Sequence, residues 1–191
     1  GSPKLSLKSG IKTGRLSGIV NHHVPQYLRT NQKPSYETNC IEDWETKLDK
    51  IVEETIDKDM SLISGIPPWM QMYFDRLTEK SGKKVSQLFP NFSVMVHGGV
   101  NFQPYQARLF DSIGKSVHTI ETFPASEGFF AFQDTQDGEG LLLMPRGLRP
   151  HLADCIAIPD ADQTPERGEF APLHVGDDLV FGVAEHALQR A

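Results

Sequence analysis

The chain has 191 residues, with 25 acidic against 19 basic side chains and a formal net charge of −6. That balance removes any electrostatic reason to expect nucleic acid or an anionic membrane as the main partner, and leaves at most a local basic surface for a phosphate-bearing ligand. With 38% hydrophobic and 23% charged residues, the composition is that of a soluble globular protein of one domain, or a domain and a half.

Two cysteines, Cys40 and Cys155, lie far apart without a CxxC partner. They read as free thiols in a reducing compartment, which predicts a cytoplasmic location, with a disulfide as the alternative. No apolar run approaches the roughly 20 residues a membrane helix needs, and no signal peptide is visible. The chain opens GSPKL without Met, so it is expected to be processed, tagged or cut from something longer.

Residues 1–40 are rich in Gly, Ser, Lys, Asn and Pro and read as loops and short pieces. The run KLSLKSGIKTG has the flavour of a phosphate loop, but it does not match GxxxxGK[ST] and no strand clearly precedes it, so it reads as a surface loop. Residues 41–57, IEDWETKLDKIVEETID, place Trp44, Leu48, Ile51, Val52 and Ile56 on one helical face. Glu42, Asp43 and Glu45 near the start suit the helix dipole. SLISG at 61–65 predicts a short strand. Pro67 and Pro68 then open a second helix, with Trp69, Met72, Tyr73 and Leu77 on its inner face and Gly82 as its stop.

FSVMVH at 92–97 predicts a strand with a Gly-Gly exit, PYQARLFDSIG at 104–114 a helix, and SVHTIETF at 116–123 the next strand. FFAFQ and LLLM follow as further strands. Strand, helix, strand, helix, strand predicts an α/β fold with a mostly parallel sheet flanked by helices. No lysine follows Lys115, and the four positive residues after Met144 are all arginine: Arg146, Arg149, Arg167 and Arg190. The chain therefore divides into residues 1–144 and an atypical tail, 145–191.

Ligands of α/β sheets bind beyond the carboxyl ends of strands. Two turns fall there: His97-Gly98-Gly99-Val100 and Thr122-Phe123-Pro124-Ala125-Ser126-Glu127-Gly128. Paired glycines let a flat ligand approach the backbone, Phe123 can stack on a base, and the Ser126 hydroxyl can donate to phosphate oxygens. The Glu127 carboxylate can hold Mg²⁺, which prefers oxygen ligands and bridges to phosphates. Each turn taken singly also has a plain reading, a tight Gly-Gly turn and a solvated loop. His22, His23, His118, His151, His174 and His186 show no metal-ligand spacing and read as surface or structural groups. His97 stands beside the site through its location.

Three ordered segments, ISGIPPWMQMYFDRL, FPNFSVMVHGGVNFQPY and TIETFPASEGFFAFQD, resemble the auxin-responsive acyl acid–amido synthetase family (Gretchen Hagen family), a branch of the adenylate-forming superfamily. The resemblance covers roughly residues 1–144. It implies the central part of an adenylate-forming N-terminal domain that uses ATP and Mg²⁺ to activate a small carboxylic acid as acyl-AMP and then join it to an amino acid. Its site residues would be Phe123 at adenine, Ser126 at phosphate and Glu127 with Mg²⁺, the last two both in catalysis, and Thr122 at the opening of that turn. Gly98, Gly99 and Val100 would border adenine and the acyl group, and Ile66 and Pro67 would line the acyl side. Trp69 would either wall that pocket or belong to the helix core. Pro124 stands where the superfamily has glycine, and Phe123 lacks a phenolic hydroxyl.

The family's phosphate loop and C-terminal lid are not matched in this sequence, and the tail does not resemble the family, which implies a divergent or out-of-frame segment and a chain inactive as given. VGDDLVF at 175–181 resembles the family's Gly-Asp turn, with Asp177 as the candidate ribose ligand. The alternative is a non-catalytic truncated homologue acting as a nucleotide- or protein-binding module.

Overall fold

The computed structural model describes residues 3–14, 16–125, 128–136, 140–144 and 182–185. A small hairpin, β1 (Ser6–Lys8) and β2 (Ile11–Thr13), opens the chain, followed by the short helices α1 (Leu16–His23) and α2 (Gln26–Arg29). A two-residue strand β3 (Gln32–Lys33) and the single turn α3 (Tyr36–Asn39) follow. The loop-like composition of residues 1–40 thus yields short pieces. They are tied to the main body through Glu54, whose carboxylate accepts from Ser35 N and Ser35 Oγ, each at 2.7 Å, and from the Thr38 hydroxyl.

Helix α4 (Trp44–Thr55) starts where the Asp43 carboxylate accepts from Thr46 N at 2.9 Å, satisfying one of the free donors of the first turn. Its stripe of Leu48, Ile51, Val52 and Thr55 is buried, as the sequence periodicity predicts. Strand β4 (Met60–Gly65) leads into α5 (Pro67–Ser81). Pro67 and Pro68 occupy the first helical positions, and Gly82, in the left-handed conformation at φ 67°, ends the helix by donating to Thr78 O at 2.8 Å.

The inner face of α5 differs from the sequence expectation at one position: Met72 is 41% exposed, and Met70, Tyr73, Phe74 and Leu77 are fully buried. The spacing i, i+3, i+4, i+7 fits this stripe, and the helices packed beside it decide the phase. Tyr73 keeps its hydroxyl satisfied against Thr55 Oγ1 at 2.7 Å. Burial pushes its pKa up.

The turn α6 (Val85–Leu88) precedes β5 (Val94–Gly98), α7 (Gln103–Ile113) and β6 (His118–Ala125). Gly114, at φ 82°, ends α7. Strands β7 (Gly128–Phe132), β8 (Leu142–Leu143) and β9 (Gly182–Glu185) complete a seven-stranded sheet ordered β3-β9-β4-β5-β6-β7-β8. The three central strands β4, β5 and β6 are parallel, joined through α5 and α7, and the flanking ladders are antiparallel. The parallel part of this α/β sheet is therefore its centre. Beyond residue 144 the description covers β9 alone, so the tail expected at 145–191 lies almost wholly outside the described residues.

Helices α4 to α7 and the inward side chains Ile63 and Met95 form one core, which also takes in Phe89, Phe92 and Leu109. On β5, buried Met95 and His97 alternate with half-buried Val94 and Val96, the period-2 signature of a sheet packed hard on one face. No helix among the described residues is long and apolar enough to cross a membrane.

Phe74 lies fully inside this core, in ring contact with Tyr73 and Phe92. Phe74→Ala is expected to cost about 3–5 kcal/mol of unfolding free energy in urea titration, and Met72→Ala, on the exposed face of the same helix, less than about 0.5 kcal/mol.

Candidate functional site

The parallel register brings three strand ends to one edge. Gly65 of β4 lies beside His97 of β5, and Gly98 beside Thr122 of β6. Helices α5 and α7 both begin at this edge, so their positive dipole ends lie there and favour negative charge. Their first turns offer no free N–H: Pro67, Pro68 and Pro104 carry none, Trp69 and Met70 donate to Ile66 O, Tyr105 and Gln106 to Phe102 O, and Gln103 to Asn101 Oδ1. A polar, solvent-open cleft of about 450 Å³ lies elsewhere, lined by Asp57, Lys58, Asp59 and Lys83 among others. It sits at the amino ends of β4 and α6 and beyond the last turn of α5, where the ligand rule for α/β sheets does not point. We therefore place the site at the carboxyl edge.

Close backbone packing sets the edge's shape. A Cβ at Gly98 would stand 2.2 Å from Thr122 O, so only glycine allows β5 and β6 to close there. The Thr122 hydroxyl donates to His97 O at 3.0 Å, which pins the same two strands. Gly99 has φ 81°, and a Cβ on it would meet Ile66 Cδ1 at 3.3 Å, so the Gly-Gly turn rests against the loop after β4. Ile66, Gly98, Gly99 and Thr122 are thus brought together, with Val100 exposed at the rim.

Phe123 is half-buried and packs on Phe130, ring centroids 5.6 Å apart at 42°. The β6–β7 register shifts between Phe123 and Pro124, where proline removes a ladder donor. Pro67 is buried at the first turn of α5. Trp69 packs edge-on against Trp44, centroids 4.1 Å apart, and both lie against the core. Ser126, Glu127 and Asp177 lie outside the described residues. Among the described residues no group of His, Cys, Asp and Glu could hold a metal ion.

Two polar side chains stand level at the edge: His97, which the sequence sets beside the site, and Glu121, which it does not single out. His97 is 3% exposed, its ring stacked on Phe102 at 3.9 Å and 15°. Its Nδ1 is buried with no hydrogen-bond partner. Burial lowers its pKa to about 4, so the ring is neutral at physiological pH. Glu121 is the register partner of His97 on β6. Its backbone N–H donates to Gln133 Oε1 at 3.0 Å. Burial raises the pKa of its carboxyl group. No local signal in the sequence sets residue 121 level with this histidine, since the pairing is a matter of register between two strands.

Fold and edge together define an α/β domain with a candidate ligand site across the ends of three parallel strands. The comparison with known families identifies it further: the GH3 family N-terminal domain matches residues 6–118, and the chain belongs to that family, the Gretchen Hagen acyl acid–amido synthetases. The match takes in the Ile66 loop and the Gly-Gly turn and stops at the first residue of β6. No curated protein and no solved structure matches the chain.

Two predictions follow from this geometry. Gly98→Ala is expected to lower the melting temperature and to loosen amide protection along β5 and β6, because its methyl group meets backbone rather than a movable side chain. An unchanged exchange pattern in β6 would contradict the close approach.

The second concerns acid. Unfolded histidine takes up a proton near pH 6.5, folded His97 only near 4. The folded state therefore binds fewer protons between these values, and stability is lost as pH falls through that window, by about 3 kcal/mol in full. Glu121 has the opposite sign, since its raised pKa costs stability as pH rises above the ordinary carboxylate range. The His97 contribution is thus read as the difference between the wild-type and His97→Phe pH–stability curves, which should diverge between pH 6.5 and 4.

Proposed function

We propose that this domain carries the nucleotide and acyl edges of an ATP-dependent acyl acid–amido synthetase. The reading is carried by one observation: the Ile66 loop, the Gly98-Gly99 turn and Thr122-Phe123 converge at the carboxyl edge of three parallel strands. In this reading a small carboxylic acid attacks the α-phosphate of ATP, giving acyl-AMP and pyrophosphate. The amine of an amino acid then attacks the acyl carbon, and AMP leaves. The protein's share is positioning and charge stabilisation.

Phe123 is assigned to the adenine face, with the ring already braced by Phe130. Gly98, Gly99 and Val100 border the nucleotide and the acyl group, and Thr122 fixes that turn. Ile66 and Pro67 line the acyl side. Trp69 acts through Trp44 as a wall of the same loop. Ser126 is assigned to phosphate and Glu127 to Mg²⁺ on their residue types and place in the turn. Small carboxylic acids and amino acids are the partners this chemistry needs, and a cytoplasmic setting suits an ATP-consuming reaction.

Calorimetric titration of Mg²⁺-ATP into the chain tests the reading. Binding is expected, with Phe123→Ala weakening it about tenfold or more through lost base stacking, Phe123→Tyr retaining it, and Glu127→Gln weakening binding only when Mg²⁺ is present. Equal affinity for Mg²⁺-ATP in wild type and Phe123→Ala, or no binding at all, would overturn it. Pyrophosphate release when carboxylic acids are added would show an active enzyme and contradict the expectation of a chain inactive as given; binding without release is expected of the synthetase fragment and of a nucleotide-binding module alike.

A further inference from the structure

His97 and Glu121 stand side by side in the β5–β6 ladder, one residue before Gly98 and Thr122 close the edge. Register partners in a parallel pair project to the same face of the sheet. On the other side of His97 the register partner is Gly65, which carries no side chain, so nothing from β4 fills the space next to the imidazole at that level. The ring is held by its stack on Phe102, the residue that precedes α7. Its orientation is therefore fixed before any ligand arrives.

Both groups lack partners. His97 Nδ1 is buried without a hydrogen bond. Among the described residues the Glu121 carboxylate makes no hydrogen bond or ion pair, and the Arg and Lys ion pairs of the helices lie with other acids, such as Arg108 with Asp75 and Lys84 with Asp111. A buried imidazole nitrogen left unpaired and a half-buried carboxylate without a cation both carry an uncompensated desolvation cost. A protein retains such an arrangement where a ligand supplies the missing donor. A neutral imidazole nitrogen can accept, and a carboxylate is acceptor-only. What both call for is a cationic donor.

We propose that His97 and Glu121 recognise the amine of the second substrate, binding a primary ammonium group between the imidazole and the carboxylate. This rests on the synthetase reading above and assigns the amine side of the same site. The ammonium's three donors match two protein acceptors and leave one for water or for the activated acyl group. Loss of Glu121's charge removes a charge-assisted bond, worth about tenfold or more in affinity. Nothing at the pair selects among amino acid side chains, so it reads the amine and leaves side-chain selection to other residues.

Nitrogen-15 NMR of the chain with labelled histidines tests the proposal, the His97 ring signals being assigned among the seven histidines by their loss in His97→Asn. The probe is ethylammonium chloride, with tetramethylammonium chloride at the same ionic strength as the control, because it has the charge but no N–H donors. Ethylammonium is expected to shift the His97 Nδ1 resonance saturably, tetramethylammonium to leave it in place, and Glu121→Gln to weaken the ethylammonium response about tenfold or more. Thermal melts of Glu121→Gln confirm that the variant is folded. No ethylammonium shift, an equal shift with tetramethylammonium, or a Glu121→Gln affinity within about twofold of wild type would overturn it. Mg²⁺-ATP calorimetry on the same samples separates the two readings: ethylammonium response without ATP binding sinks the synthetase reading and leaves the amine site, and the converse sinks the amine site alone.

Discussion

Everything at the functional edge depends on how closely β5 and β6 approach at Gly98. A single methyl group there would strike the Thr122 carbonyl at 2.2 Å, and the Thr122 hydroxyl bridges the same gap to His97 O. These two contacts fix the ends of the central strands level with each other. The level ends in turn put the Ile66 loop under Gly99 and set Glu121 beside His97. A sheet whose strands ended one residue out of step would exchange the faces of all these side chains, since strand side chains alternate with period two. The site is thus a consequence of register.

The helical layer supports this register from one side. Residues of α4, α5 and α7 share a core with Ile63 and Met95, and Phe102 carries the packing from that core up to the imidazole of His97. The antiparallel strands β7 and β8 extend the sheet beyond β6 and supply Phe130, which backs Phe123. The same structure therefore holds the proposed adenine platform and the proposed amine site rigid by packing. Rigid support of this kind lets few polar contacts carry specificity.

Much of this was legible in the sequence because the signals were local. Pro67 and Pro68 marked the start of α5, Gly82 and Gly114 marked helix ends with left-handed backbone, and the spacing of Leu48, Ile51 and Val52 fixed the face of α4. The segments that carry the family resemblance lie on β4–α5, β5–α7 and β6–β7. What the sequence did not reveal depends on neighbours far along the chain. Met70 and Phe74 displaced Met72 from the inner face of α5 because α4 and α7 set its rotation. The antiparallel border in which β9 lies between β3 and β4 is a pairing between segments far apart in sequence. Glu121 reads as one polar residue within a predicted strand. Its significance comes from standing level with a buried histidine on the adjacent strand, which no local pattern encodes.

On the proposed function the nucleotide sits at the carboxyl edge of β4, β5 and β6. Photolabelling with 8-azido-ATP in the presence of Mg²⁺, followed by peptide mapping, locates it. Label is expected in the peptides spanning residues 97–103 and 118–130, competed away by unlabelled ATP. Competed label in the peptides around Asp57–Asp59 and Lys83, which line the cleft at the amino end of β4, would contradict it.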